Sequence, residues 1–180
     1  MLDQWKILVI SDTHGRTQRI EQVIQELKGF LDAVYFLGDC LPDGRRLQKK
    51  FPELAYLDVP GNCDFTNEGL SKTVELLGHR LFLCHGHRYS VKEDYDTLRR
   101  FALANHYDIA LFGHTHMPYA DDDERLLLLN PGSAGELYPL YGANYAVLCI
   151  EKDRRPEYRF GNVYESSGPI LKFLQKKTEK

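Results

Sequence analysis

The first apolar stretch, Lys6-Ile-Leu-Val-Ile10, is short and unbroken, as in a strand covered on both faces. Apolar residues then recur at Ile20, Val23, Ile24 and Leu27, a helical spacing that predicts a helix over 16–29 stopped by Gly29. Ala33 to Leu37 reads as a second buried strand, and Leu54 to Val59 as a third. Between them Arg45 to Phe51 reads as a short helix ended by Pro52. Thr73 to Leu77 and Arg80 to Cys84 flank Gly78-His79 and predict a hairpin. Val91 to Asn105 carries Tyr95, Leu98, Phe101 and Ala102 on one helical side. Ile109 to Phe112, Leu126 to Leu129, Tyr145 to Ile150 and Glu157 to Phe160 complete a strand-rich second half, and polar Gln175 to Lys180 reads as a frayed end. Strand–helix units followed by antiparallel strands predict an α/β chain: a two-sheet β-sandwich flanked by helices.

Polar residues add chemistry at the ends of these runs. Ile-Leu-Val-Ile precedes Ser11-Asp12-Thr13-His14, and Val-Tyr-Phe-Leu precedes Gly38-Asp39. Tyr-Leu-Asp-Val-Pro precedes Gly61-Asn62-Cys63-Asp64, Leu-Phe-Leu-Cys precedes His85-Gly86-His87, and Ile-Ala-Leu-Phe precedes Gly113-His114-Thr115-His116. Ligands bind outside the carboxyl ends of strands in open α/β sheets, so parallel neighbours would bring the five clusters together. Imidazole, carboxylate and amide oxygen form a mixed N/O set that suits Mn²⁺, Zn²⁺ or Fe and selects poorly for Ca²⁺. The donors exceed what one ion needs and match two, with Asp39 the natural bridge because a carboxylate has two oxygens. Two divalent ions, two aspartates and a hydroxide leave a charge of about +1, which attracts phosphate.

The 180 residues are 43% hydrophobic and 27% charged with a net charge of −3, which fits one soluble domain over 1–180 and gives no basic excess for long nucleic acid. No signal-peptide pattern opens the chain and no apolar run approaches the ~20 residues that span a membrane, so the expected location is the cytoplasm. Cys40, Cys63, Cys84 and Cys149 form no C-x-x-C pair and read as free thiols.

The blocks Asp12-x-His14, Gly38-Asp39, Gly61-Asn62-x-Asp64, His85-Gly86 and Gly113-His114-x-His116, taken in order, resemble the calcineurin-like metallophosphoesterase superfamily. Asn130-Pro-Gly-Ser133 is similar to its small bacterial and archaeal branch of the YfcE type. The resemblance implies the four-layer sandwich, with Asp12, His14, Asp39 and His116 on one metal and Asp39, Asn62, His85 and His114 on the other. It implies a phosphodiesterase that hydrolyses small phosphate esters by in-line attack of a metal-bound hydroxide, with Mn²⁺ foremost and Zn²⁺, Fe or Ni²⁺ as alternatives. Many members carry histidine where Cys63 stands, as substrate contact or acid; a thiol of pKa ~8.5 is a weak substitute. The branch with this feature tends toward diesters and good leaving groups. The segment 65–72 is too short for a cap domain, so an open site with a broad substrate range is expected.

Plainer readings stand beside these. Asp12 and His14 can serve as helix cap and turn, Asp39 can open a turn at Pro42-Asp43-Gly44, and Asn62 can be a turn residue after Pro60-Gly61. His87 competes with His85; the resemblance favours His85 as ligand and leaves His87 as a catalytic phosphate contact. Asp64 is a candidate for orienting a ligand within the catalytic machinery or for a turn. Cys63 as a soft zinc ligand is disfavoured by the filled N/O shell. Ser133 does not meet G-x-S-x-G, because position 131 is proline, and reads as a supporting turn. Asp121 to Glu124 reads as a solvated hairpin tip, Arg45, Arg46, Lys49 and Lys50 as a solvated helix face, and the aromatics of Tyr138 to Tyr145 as a homodimer contact. Relatives of this fold include the retromer's vacuolar-sorting subunit, a protein-binding scaffold, which makes a non-catalytic scaffold the main alternative. The H-x-H-x-D-H layout of lactamase-type hydrolases is absent.

Overall fold

The structure, a computed structural model, describes residues 3–66, 69–135 and 144–178. Strand β1 (Gln4–Ile10) is apolar throughout its second half because it lies mid-sheet, with helices on one face and a second sheet on the other. Ile7 and Val9 point into the core between the sheets, while Leu8 and Ile10 point into the core beneath the helices.

After β1 come α1 (Gln18–Leu27), β2 (Ala33–Phe36), α2 (Leu41–Lys50), β3 (Ala55–Asp58), the hairpin β4 (Ser71–Leu76) and β5 (His79–Cys84), and α3 (Asp96–Ala104). They are followed by β6 (Ile109–Leu111), β7 (Pro118–Asp122), β8 (Leu127–Pro131), β9 (Asn144–Glu151), β10 (Glu157–Asn162) and α4 (Gly168–Thr178). One sheet has the order β10-β9-β1-β2-β3 and the other β4-β5-β6-β8-β7. Between them lies a core that includes Tyr35, Leu37, Leu83, Leu111, Leu129 and Leu148. Ile20 and Ile24 of α1, Leu47 of α2 and Leu174 of α4 cover the outer face of the first sheet, and Leu98 and Ala102 of α3 cover the second. The four-layer α/β sandwich is therefore the fold.

The convergence expected at strand ends is realised across two sheets. Strands β1, β2 and β3 are mutually parallel in the first, and β5, β6 and β8 in the second. The loops leaving the carboxyl ends of the first five of these carry the five polar clusters.

Several elements differ from expectation. Helix α2 starts at Leu41, so Pro42-Asp43-Gly44 is its first turn; proline is tolerated there because no helical partner awaits its missing N–H. Helix α3 starts only at Asp96, whose amide is taken by Asp94 Oδ1 at 2.9 Å. Strand β7 was not expected: it is a polar edge strand, and Asp121 and Asp122 lie in it rather than at a tip, held by Arg99 and Arg155. Residues 175–178 are not frayed but close α4, where Lys177 is 8% exposed and pairs with Glu151 at 2.9 Å and with Glu157. Arg46 and Lys50 are not merely solvated, since both pair with Glu21. In the expected dimer contact, 138–143 fall outside the described residues, and Tyr145 is a core residue at 1% exposure. All four cysteines are free.

Candidate metal centre

Asp12, His14, Asp39, His114 and His116 all have left-handed backbones, with φ of 56°, 46°, 58°, 70° and 62°. That region disfavours residues with a Cβ, at a cost of order 1 kcal/mol each, and such outliers cluster at functional sites. Surrounding bonds hold the conformation. Asp12 N donates to Gly38 O at 3.0 Å, while Gly135 N at 3.2 Å and Ser133 Oγ at 2.7 Å donate to Asp12 O. Ser133 thus supports the site rather than reacting in it. Two glycines permit close loop approach: a Cβ on Gly61 would stand 2.0 Å from Asp39 Oδ1, and one on Gly113 2.0 Å from Ser11 Oγ.

The loops bring the side chains into two groups. Donor atoms of Asp12, His14 and His116 lie within 4.8 Å of one another, as do those of Asp39, His85 and His114. Asp39 faces both groups: Oδ1 is 3.4 Å from His85 Nε2, and Oδ2 is 3.9 Å from His14 Nε2. Asp12 Oδ1 lies 3.2 Å from His116 Nε2 and 3.8 Å from His85 Nε2. His85 donates its Nδ1 proton to Leu37 O at 2.7 Å, which leaves Nε2 as a lone-pair donor facing the carboxylates. A third group joins His14, Asp39 and Cys63, so the cysteine sulfur sits beside the centre. Asn62 is exposed on the turn Asn62–Asp64, its amide 3.4 Å from Cys63 Sγ.

Asp12 Oδ1 and His85 Nε2 are buried and lack a hydrogen-bond partner. A buried polar atom left unpaired costs about 1–3 kcal/mol. A cation would engage both atoms, so the donor set fits divalent metal. Burial alone would raise the Asp12 and Asp39 carboxyls, but His116 and His85 beside Asp12, and His85 and Cys63 beside Asp39, pull both below the usual range. Burial opposes protonation of His85, yet the Asp39 contact and the two carboxylate charges raise it on balance. His114 is lowered to about 4 by burial, then by His85 and Lys92, so it is a neutral donor at pH 7.

His87 lies at the edge of the cluster, its ring 5.5 Å from His85 and 6.1 Å from His114, and its Nδ1 is buried without a partner. Asp64 does not face the imidazoles. Its carboxylate accepts the backbone amides of Asp39 (3.1 Å), Cys40 (3.0 Å), Leu41 (2.6 Å) and Gly61 (2.8 Å), so it positions the Asp39 loop.

Two further residues hold the site. Buried Asp43 accepts Thr13 Oγ1 at 2.8 Å and Gly15 N at 2.7 Å, fixing the Asp12–His14 loop from the first turn of α2. Reading that turn as a loop hid the role. Asn130 donates to Gly113 O at 2.8 Å and Thr115 Oγ1 at 3.0 Å, bracing the His114–His116 loop. Its signal was available, since Asn130 follows the apolar run Leu126–Leu129 in the layout of the other five clusters.

A sandwich with a histidine–aspartate centre at the carboxyl ends of its strands defines a metallophosphoesterase architecture. The profile of the calcineurin-like phosphoesterase superfamily domain matches residues 5–153, and the chain belongs to that superfamily. It is 28% identical over 171 residues to the probable metallophosphoesterase YsnB of Bacillus subtilis, covering 94% of this chain and 96% of that protein. Phosphodiesterase YfcE of Escherichia coli K12 is 29% identical over 151 residues, covering 71% of this chain and 78% of YfcE. A conserved Streptococcus pneumoniae protein, a predicted phosphoesterase, superposes with a TM-score of 0.74 at 28% identity over 92% of this chain and 94% of its own. Vps29 of Entamoeba histolytica complexed with Zn²⁺ shares the fold, with a TM-score of 0.66 at 23% identity over 88% and 99% of the two chains.

Proposed function

We propose that the chain is a two-metal phosphodiesterase acting on small phosphate esters. In this reading Asp12, His14, Asp39 and His116 hold one ion, and Asp39, Asn62, His85 and His114 hold the other. The observation that carries it is the pair of donor groups faced by the two oxygens of one aspartate, with Asp12 Oδ1 and His85 Nε2 buried there without a hydrogen-bond partner.

Bound divalent ions lower the pKa of water and offset charge that develops on phosphoryl oxygens. The protein's own residues do the rest. Leu37 O holds the His85 ring in the tautomer that points Nε2 at the centre. Asp64, Asp43 and Asn130 fix three of the five ligand loops, so donors on those loops require little rearrangement on loading. In this reading His87, lowered by burial and then by His85, contacts a phosphate oxygen as a neutral imidazole.

Burial and the neighbouring Asp39 raise the Cys63 thiol, which makes it a poor proton donor. Without a strong acid, the site favours diesters whose leaving group departs unprotonated. The N/O donor set favours Mn²⁺, with Zn²⁺, Fe and Ni²⁺ as alternatives. Among the described residues no helix is long and apolar enough to cross a membrane, and we assign the protein to the cytoplasm as part of the same proposal. Homodimerisation belongs to the same proposal, and light scattering tests it: a Tyr141→Glu variant that stays dimeric removes the aromatic contact expected from the sequence.

The test is hydrolysis of bis-p-nitrophenyl phosphate by metal-stripped protein with Mn²⁺ added back, beside His114→Ala. Turnover restored by metal and lost in the variant is expected. Tight metal binding without turnover of this diester or its monoester would replace the enzyme with a protein-binding scaffold.

A further inference from the structure

Phe65 departs from ordinary packing in two independent ways. Its side chain is 99% exposed, although a large aromatic normally buries most of its surface. Its backbone has φ 48°, a strained choice for a bulky residue. It directly follows the turn Asn62–Asp64, whose Cys63 amide donates to Asp39 Oδ1 at 3.0 Å. The exposed ring is thus anchored to a loop of the metal centre.

The residues on either side of it, Asp64 and Thr66, line a groove of about 540 Å³ that is also bounded by Leu41, Pro42 and Pro60 and by the charged Arg45, Asp58 and Lys72. Segments 39–42 and 60–64 therefore have two sides. One carries Asp39 at the centre, and the other walls the groove. The Asp64 carboxylate ties the two segments together through four amides. The groove is joined to the centre through Asp64, which holds the Asp39 amide, and Phe65 stands in the chain between two residues of its wall. Leu41, Pro42 and Pro60 offer apolar contact to the faces of a flat ring, the exposed Arg45 guanidinium suits a π-rich one, and the charged wall residues suit its polar edge.

We propose that Phe65 and this groove form a subsite that stacks a flat aromatic ring carried by an ester arm of the phosphate substrate. The proposal rests on the phosphoesterase reading above and narrows its substrates to aryl or nucleoside esters. A side chain with only two χ angles, already poised in solvent, loses little freedom when it stacks.

Calorimetric titration of the Mn²⁺-loaded protein with adenosine 5′-monophosphate, phenyl phosphate and inorganic phosphate tests this. Ring-bearing ligands should bind about tenfold more tightly than phosphate, as base–aromatic stacking does. Phe65→Asn, chosen because asparagine tolerates a left-handed backbone, should remove that margin while keeping phosphate affinity and melting temperature. Phe65→Tyr should restore it. A margin for the nucleotide alone identifies a nucleoside ester, and a margin for both identifies aryl esters generally. Equal binding of all three, or an unchanged margin in Phe65→Asn, overturns the subsite and leaves the metallophosphoesterase reading standing. No binding of any of them overturns both.

Discussion

Replacing Gly61 by alanine asks whether Asp39 must stand where it does. The new Cβ would lie 2.0 Å from Asp39 Oδ1, 2.8 Å from its Cγ and 2.5 Å from its backbone nitrogen. Relaxed contacts are about 3.5 Å, so the aspartate must retreat by about 1.5 Å. A side-chain rotation cannot absorb this, because the backbone nitrogen is struck as well. The loop has to move, which breaks the Cys63 amide bond to Oδ1 (3.0 Å) and the Asp64 bond to the Asp39 amide (3.1 Å). Gly61 itself is extended, at φ −95° and ψ −177°, so alanine adds no backbone strain and the effect is steric. Metal–ligand distances tolerate about 0.2 Å, and misplacing a positioned group by ~1 Å costs about 100-fold in rate. Overpacking of this kind costs about 1–3 kcal/mol, which lowers the melting temperature of a chain this size by about 2–12 °C and leaves it folded. Circular dichroism melts, Mn²⁺ calorimetry and bis-p-nitrophenyl phosphate hydrolysis give the three readouts. Folded Gly61→Ala protein with wild-type metal affinity and turnover would refute the assignment of Asp39 as a fixed ligand.

Asp64→Ala frees four backbone amides of a part-buried loop and should cost about 2–4 kcal/mol in chemical denaturation and weaken metal binding, while wild-type values in both would show the clamp to be idle. Leu174→Ala, on α4 far from the ligand loops in sequence, should cost about 2–5 kcal/mol yet leave Mn²⁺ affinity unchanged, as calorimetry on the folded variant would show. His114 is depressed to about 4 from an ordinary 6.5 by burial, so the unfolded chain takes up a proton that the fold refuses. The metal-free protein should therefore lose stability as pH falls from about 6.5 to about 4, and His114→Gln should lose less over that window. Parallel wild-type and variant curves in urea titrations would remove this contribution.

The positions of the apolar strands and the polar clusters at their ends were legible in the chain, because each depends on local pattern. An unbroken apolar run such as Ile7–Ile10 has few uses other than a doubly covered strand, and Asp or His directly after such a run stands at its end wherever the strand lies. The start of α2 was misread because Pro42-Asp43-Gly44 has turn composition. The helix forms there because Gly44 lets it approach β3, where a Cβ would come 2.0 Å from Tyr56 Oη. Strand β7 and the last turn of α4 are polar, and their partners, Arg99, Arg155, Glu151 and Glu157, are distant in sequence. Asp64 was legible as a residue that orients a ligand or shapes a turn, and only the fold supplies the four amides its carboxylate accepts.

What the sequence alone determined, then, is what each segment is and which residues stand at its end. Which residues share a centre was decided by tertiary structure. His14 and His116 are 102 residues apart, yet their Nε2 atoms lie 3.2 Å from each other. That meeting depends on the packing of two sheets, the register of six parallel strands and left-handed loops held by distant hydrogen bonds. None of these has a local signature, because the free energy that fixes them comes from contacts between segments rather than within them.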